Sequence, residues 1–384
     1  MHISSDIRYI GVFDHKIDLF EGQYPVPNGI SYNSYLILDE KIAVLDTADA
    51  TYTEEWLGNL DANLKDRCPT YLIVQHMEPD HSAGIAKFLD RYPTAIVVAS
   101  QKAFAMMKGF FGEEYETRRL VVGEGHTLPL GRHTLHFLTA PMVHWPEVIM
   151  TYDDADKVLF TADGFGRFGD TEEGTPWDDE ARRYYIGIVG KYGAQVAAVL
   201  KKAAGLDIAK ICPLHGPVLT ENLGHYLSLY KTWSSYQPEE DGVVIAYTSI
   251  YGNTRAAALF LTEELVAQGM AVKVYDLCRT HLSYPIADAF RYSKLILATT
   301  TYNADIFPPM HAYIHGLLER NYGGRTVALV ENGSWAPMAG KVMSGLLAGA
   351  KNLTLLPTVT IRSALNEDSR TALRELAKSL ATPS

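Results

Sequence analysis

The chain has 384 residues, 47 % hydrophobic and 21 % charged, and its 34 basic and 45 acidic side chains leave a net charge of −11. That length suits two globular domains better than one, and the acidic balance argues against nucleic acid as a partner. No apolar run approaches the ~20 residues of a membrane span and residues 1–30 lack a signal-peptide core, so a cytoplasmic protein that does not engage membranes is expected.

In chain order, residues 1–237 predict a first domain of strands mixed with helices. Ser34-Tyr35-Leu36-Ile37-Leu38 and Ile42-Ala43-Val44-Leu45 flank the polar turn Asp39-Glu40-Lys41 and predict a hairpin. Helical spacing follows at 53–65 and 82–91, and strands are predicted at 94–99, 118–122, 134–139, 147–151 and 157–161. One long helix is expected over about 178–204, ahead of the strand Ile208-Ala209-Lys210-Ile211. Such alternation predicts two sheets face to face with helices outside. The polar stretch from Trp233 to Gly242 predicts a linker, and residues 242–384 form a second domain. There, apolar strands at 243–247, 271–275, 294–299, 326–330 and 353–360 alternate with helices, the pattern of a doubly wound parallel sheet.

The densest chemistry lies in Gln75-His76-Met77-Glu78-Pro79-Asp80-His81, directly after the apolar run Tyr71 to Val74. Two imidazoles and two carboxylates in six positions repel one another without a cation. The acidic donor in the third position of H-x-E-x-D-H favours iron or manganese over zinc. Three later loops, each after an apolar strand, add one ligand-type residue apiece: His144, Asp163 and His215. Four histidines and three carboxylates suit two metal ions, with one carboxylate between them and positions left open for a small molecule. His133 and His136, in a predicted hairpin, are expected at the surface. Cys68, Cys212 and Cys278 form no C-x-x-C, which excludes an in-chain rubredoxin centre, and are expected as buried free thiols.

In the second domain the first strand runs into Thr248-Ser249-Ile250-Tyr251-Gly252-Asn253-Thr254 and then a helix. Hydroxyls, a glycine and free N–H groups at a helix N-terminus make a cradle for a monophosphate. Neither G-x-x-x-x-G-K-[ST] nor G-x-G-x-x-G is present. The loops Thr299 to Asp305 and Glu331 to Pro337 follow the third and fourth strands, where open α/β sheets bind ligands. Tyr251, Tyr302 and Trp335 offer faces to a planar ring, which predicts a flavin.

On these motifs the chain resembles the flavodiiron proteins, or A-type flavoproteins, over nearly its whole length. The resemblance implies a metallo-β-lactamase-like αββα domain followed by a flavodoxin-like domain. It implies that His76, Glu78 and His144 hold one iron, that Asp80, His81 and His215 hold the other, and that Asp163 bridges them. It further implies FMN, with Ser249, Tyr251, Gly252, Asn253 and Thr254 around the phosphate and Thr301, Tyr302, Asn303, Gly333, Ser334 and Trp335 near the ring. Tyr185 is the candidate hydrogen-bond donor in the gas pocket. The chain departs from many members in the less glycine-rich Glu331-Asn332-Gly333-Ser334 loop, in Asp305 where glycine is frequent, and in Glu21 where histidine is frequent.

The implied activity is reduction of O₂ to water or of NO to N₂O, two iron(II) ions and reduced FMN together supplying four electrons. A separate donor is expected: rubredoxin, a flavin reductase or reduced coenzyme F420. A head-to-tail homodimer, or a dimer of dimers, is expected to bring the FMN of one chain to the irons of another. The rival readings are a zinc hydrolase with a fused flavodoxin-like module, and an electron-transfer protein whose first domain is a metal-free scaffold. The residues do not choose between O₂ and NO.

Overall fold

The computed structural model describes residues 2–169 and 176–382. The chain divides into two compact units, Met1–Lys231 and Thr232–Ser384.

The first unit is an αββα sandwich. One sheet carries six strands in the spatial order Ile7–Tyr9, Tyr35–Ile37, Ala43–Leu45, Tyr71–Val74, Ile96–Ala99 and Arg119–Val121. The other orders Thr127–Pro129, Thr134–Thr139, Ile149–Asp153, Val158–Phe160 and Lys210–Cys212. Alternation along the strands sorts their side chains between two cores. Ile37, Leu45, Ile73 and Val98 face Leu135, Phe137, Ile149 and Phe160 between the sheets. Leu36, Val44, Leu72 and Val97 point the other way, onto Trp56, Leu60, Phe88 and Phe104 of the helices Thr53–Leu64, Ile85–Arg91 and Gln101–Phe111. Both faces are buried, which is why these strands read as continuous apolar runs.

The expected helix over 178–204 is interrupted. Helix Trp177–Tyr184 passes into a π-turn at Tyr185–Val189 and a short tight turn before helix Gly193–Ala203. A Cβ at Gly187 would stand 2.9 Å from the Tyr24 ring, and the Tyr24 hydroxyl donates to the Gly187 carbonyl at 2.9 Å. The glycine is there to let Tyr24 in.

His133 is fully buried, contrary to expectation, and His136 is half-buried. The His133 imidazole lies 2.9 Å from Asp153 Oδ1 and 3.3 Å from Asp6 Oδ2. Arg132 pairs with both Asp6 and Asp156, so their charge is already met and the group is an ion-pair network. Burial works against charge on His133, but its bonds to Asp153 and Asp6 raise its pKa above the ordinary histidine value. The stabilisation is therefore complete below about pH 6.5, the unfolded value, and is lost as pH rises through the raised native one. His133→Gln is expected to cost stability at about pH 6 and much less at about pH 9. Urea denaturation at both values checks this, and an equal loss at each would contradict it.

The second unit is one parallel sheet in the order Val272–Asp276, Glu240–Tyr247, Tyr292–Tyr302, Thr326–Asn332, then Val359–Ile361. The fifth expected strand, 353–360, is two short pieces, Thr354–Leu355 and Val359–Ile361, separated at Pro357, which has no N–H for the ladder. The expected linker also holds structure: Trp233 and Ser234 end the helix Leu223–Ser234, and Glu240 starts a strand. Cys212 is buried, but Cys68 and Cys278 are exposed. Among the described residues no helix is long and apolar enough to cross a membrane.

Candidate functional site

The ligand-type residues of the first unit converge because their loops leave one edge of the sandwich. Val158–Phe160 is parallel to Lys210–Cys212, and it runs in the same direction as Thr134–Thr139, the second strand across an antiparallel pair of pairings. Asp163, His215 and His144 thus emerge from carboxyl ends of like-directed strands, and His76 follows the end of Tyr71–Val74. Left-handed backbone at Asp46, Met142, Ala162 and Phe165 turns these loops sharply. Such strain, costing roughly 1–3 kcal/mol per residue, persists where the surroundings impose it.

One donor atom each from His76, Glu78, His144 and Asp163 lie within 4.8 Å of one another, and so do donors from Asp80, His81 and His215. In the first group His144 Nε2 stands 3.0 Å from both Glu78 Oε2 and Asp163 Oδ2, and His76 Nε2 stands 3.2 Å from Glu78 Oε2. In the second, His81 Nε2 is 3.0 Å from His215 Nε2 and 3.2 Å from Asp80 Oδ2. Asp163 faces both groups: Oδ2 approaches His76 and His144, while Oδ1 lies 3.4 Å from His81 Nε2 and 3.8 Å from His215 Nε2.

The surroundings orient the rings for a cation. His76 Nδ1 donates to Glu147 Oε1 at 2.9 Å, and His215 Nδ1 donates to the Ser31 carbonyl at 2.7 Å. Each ring therefore presents the lone pair of Nε2 inward. Both oxygens of Asp80 and Oδ1 of Asp163 are buried without a hydrogen-bond partner. Buried carboxylates and facing lone pairs of this kind fit metal ions. Burial disfavours charge on His144, but its bonds to Asp163 and Glu78 raise its pKa to about 9. Burial likewise opposes charge on Asp163, yet His76, His144 and His81 hold its carboxyl well below the usual range.

Supporting residues escaped the motif reading. Glu147 is fully buried and also accepts from the Met77 N–H at 2.9 Å. Asp46 takes the backbone N–H of Gln75 at 2.7 Å and that of His76 at 3.3 Å. Asn33 Nδ2 donates to the Pro213 and Gly216 carbonyls, each at 2.8 Å, fixing the His215 loop. A signal for Glu147 was its place three residues after His144.

In the second unit a cavity of about 470 Å³ opens at the carboxyl ends of the strands. Of the expected contacts, Ser249, Tyr251, Asn253, Thr254, Thr301, Asn303, Gly333, Ser334 and Trp335 line it. Gly252 and Tyr302 do not. Gly252 makes the turn into helix Asn253–Ala267 with φ 90° and donates its N–H to Ser249 Oγ at 3.1 Å. The Tyr302 ring packs edge-on against Phe307 at 5.3 Å. Thr300, Asn332, Met338 and Ser363 line the cavity without having been singled out. Tyr251 and Trp335 are 92 % and 89 % exposed, which is unusual for large aromatics and leaves two ring faces open at the mouth.

A family model described as the ODP family beta lactamase matches residues 30–216. An anaerobic nitric oxide reductase flavorubredoxin of Aliivibrio salmonicida is 29 % identical over 85 % of this chain, which spans 66 % of that relative's length. The rubredoxin oxygen:oxidoreductase of Desulfovibrio gigas superposes with a TM-score of 0.91 at 24 % identity, over 99 % of this chain and 97 % of that one. A flavo di-iron protein mutant from Thermotoga maritima gives 0.88 at 24 %, over 98 % and 96 %. By fold the chain is similar to the flavodiiron proteins over nearly its whole length.

The tyrosine beside the candidate metal ligands is Tyr184, and Tyr185 stands elsewhere. The Tyr184 ring lies 5.5 Å from His215, and its buried hydroxyl has no hydrogen-bond partner. Burial, then the carboxylates of Asp163, Glu78 and Asp80, raise its pKa, so it stays an O–H donor. Tyr185 packs against Tyr230 at 5.1 Å instead, because the chain enters its π-turn at that residue. Phe20 and Tyr32 complete the wall around His215, at 5.2 and 6.1 Å. Glu21 is exposed as a residue, yet partial loss of water around its carboxyl, then the charge of Glu78, push its pKa up to about 7. Asp305 closes a tight hairpin with Tyr302 and accepts the Ile306 N–H at 2.7 Å, outside the cavity lining.

Proposed function

We propose that this chain is a flavodiiron protein that reduces O₂ to water or NO to N₂O at two iron ions, with electrons passed through FMN. The observation that carries the reading is Asp163, whose two carboxylate oxygens face two separate groups of two histidines and one carboxylate. Two imidazoles and one carboxylate with open positions is the ligand set of non-haem iron(II), and a shared carboxylate keeps two such ions near enough for one small molecule. The flavorubredoxin and the rubredoxin oxygen:oxidoreductase, by their names, act on NO and O₂ respectively.

Bound iron(II) and reduced FMN would supply the electrons. His76, Glu78 and His144 would hold one ion, Asp80, His81 and His215 the other, and Asp163 both. The chain's own contribution is orientation and protons. Glu147 and the Ser31 carbonyl fix two imidazoles, Phe20 and Tyr32 keep the His215 side apolar, and Tyr184 offers an O–H inside the pocket. In the second unit Ser249, Asn253 and Thr254 would take the FMN phosphate on the N-terminus of a 15-residue helix. Thr301, Asn303, Gly333, Ser334 and Trp335 would surround the ring.

The reading includes a separate electron donor, whether rubredoxin, a flavin reductase or reduced coenzyme F420. It also includes a two-fold head-to-tail homodimer, or a dimer of dimers, in which the FMN of one chain serves the irons of its partner. A mixed dimer of a His76→Ala/Asp163→Ala chain with an FMN-free chain is expected to be active although each parent is dead; an inactive mixed dimer would contradict the arrangement. For the metals, protein expressed with iron is expected to hold two irons per chain. Metal analysis that found two zinc ions and no iron would support the hydrolase instead.

A further inference from the structure

Ser363 belongs to no motif, yet it lines the second unit's cavity from the loop after the fifth strand, Val359–Ile361. Its backbone sits in the left-handed region, φ 67°, where a serine is strained. Three hydrogen bonds hold it there. The Asn332 side-chain amide donates to the Ser363 carbonyl at 2.8 Å, the Ser363 N–H donates back to Asn332 Oδ1 at 3.1 Å, and the Ser363 hydroxyl meets the Ser334 hydroxyl at 2.8 Å. Asn332 is 5 % exposed, so this amide clasp is a built feature and not a surface accident. It ties the fifth-strand loop to the loop that carries Trp335.

Topology says which end of a ligand this clasp serves. The phosphate cradle follows the strand Glu240–Tyr247, and Ser363 follows a strand three positions away in the same sheet. Three spacings of about 4.8 Å put the two roughly 14 Å apart across the cavity. A ligand with its phosphate at one end must extend its other end towards Ser363. The residues there are hydroxyls and amides beside an open indole face.

We infer that Ser363 positions the ring end of the bound flavin, its hydroxyl meeting the ring's polar edge while the Asn332 clasp holds the Trp335 loop beneath it. This rests on the reading of the cavity as an FMN site. Removing the hydroxyl leaves both backbone bonds to Asn332 in place, so Ser363→Ala keeps the clasp and loses only the hydroxyl's own bonds, to Ser334 and to the ring.

The test uses the full chain stripped of flavin, titrated with FMN and with riboflavin, which lacks the phosphate. Ser363→Ala is expected to weaken both flavins by the same factor, about three- to tenfold, the scale of one hydrogen bond. Thr254→Ala is expected to weaken FMN by about tenfold or more, through one charge-assisted bond, and to leave riboflavin unchanged. The flavin midpoint potential should shift in Ser363→Ala and hold in Thr254→Ala. Riboflavin affinity and potential both unchanged in Ser363→Ala would overturn the inference while leaving the FMN site standing. A loss confined to FMN would move Ser363 to the phosphate end and overturn it too. If the wild-type chain bound neither flavin, the FMN reading would fall, and this inference with it.

Discussion

Asp163→Ala is expected to empty both metal positions together. Each oxygen of this carboxylate faces a different donor group, at 3.0 Å from His144 and 3.4 Å from His81. Removing it leaves each group two imidazoles and one carboxylate but takes away the shared anion. The loss should exceed the roughly 10- to 100-fold that outer-shell changes produce. His76→Ala, by contrast, should empty the first position before the second. Iron content after dialysis against a chelator distinguishes the two variants, and an Asp163→Ala chain that keeps one iron would show that Asp163 is an ordinary terminal ligand.

Glu147→Ala is expected to weaken one metal position by about 10- to 100-fold while the fold survives. Its carboxylate holds the His76 proton on Nδ1 and so keeps the lone pair on Nε2. The same oxygen takes the Met77 N–H, which fixes the backbone between two ligands. Without it the imidazole is free to turn or to change tautomer. Glu147→Gln retains an acceptor oxygen and should recover most of the affinity. Anaerobic iron titration of both variants checks this; equal losses in Ala and Gln, or none in either, would leave Glu147 with a packing role alone.

The sequence made the ligands legible for a physical reason. Four apolar strands each end in a loop with Gly or Pro and one or more donor residues, and like-directed strands must deliver those loops to one edge. The supporting shell was not legible in the same way. Glu147 and Asp46 act through hydrogen bonds whose partners lie 71 and 29 residues away, and no spacing rule joins such pairs. Tyr184 was missed in favour of its neighbour because an unbroken helix over 178–204 gives no reason to prefer either; the π-turn that begins at Tyr185 decides which ring meets His215. Burial of His133 was hidden by its partners, since Asp6 comes from the far end of the unit and Asp153 from a neighbouring strand. In the second unit the first four strands stood out by their apolar runs. The fifth did not, because Pro357 splits it, and with its true end went the position of Ser363.

The central claim is that electrons pass from a flavin to a small oxidant at the centre around Asp163. Anaerobic stopped-flow of the fully reduced, iron-loaded protein against O₂ and against NO tests it most directly. Flavin absorbance should return within the mixing experiment with at least one of the two gases, and the return should vanish in Asp163→Ala. Flavin that stays reduced with both gases, or reoxidises equally fast in the variant, would contradict the account.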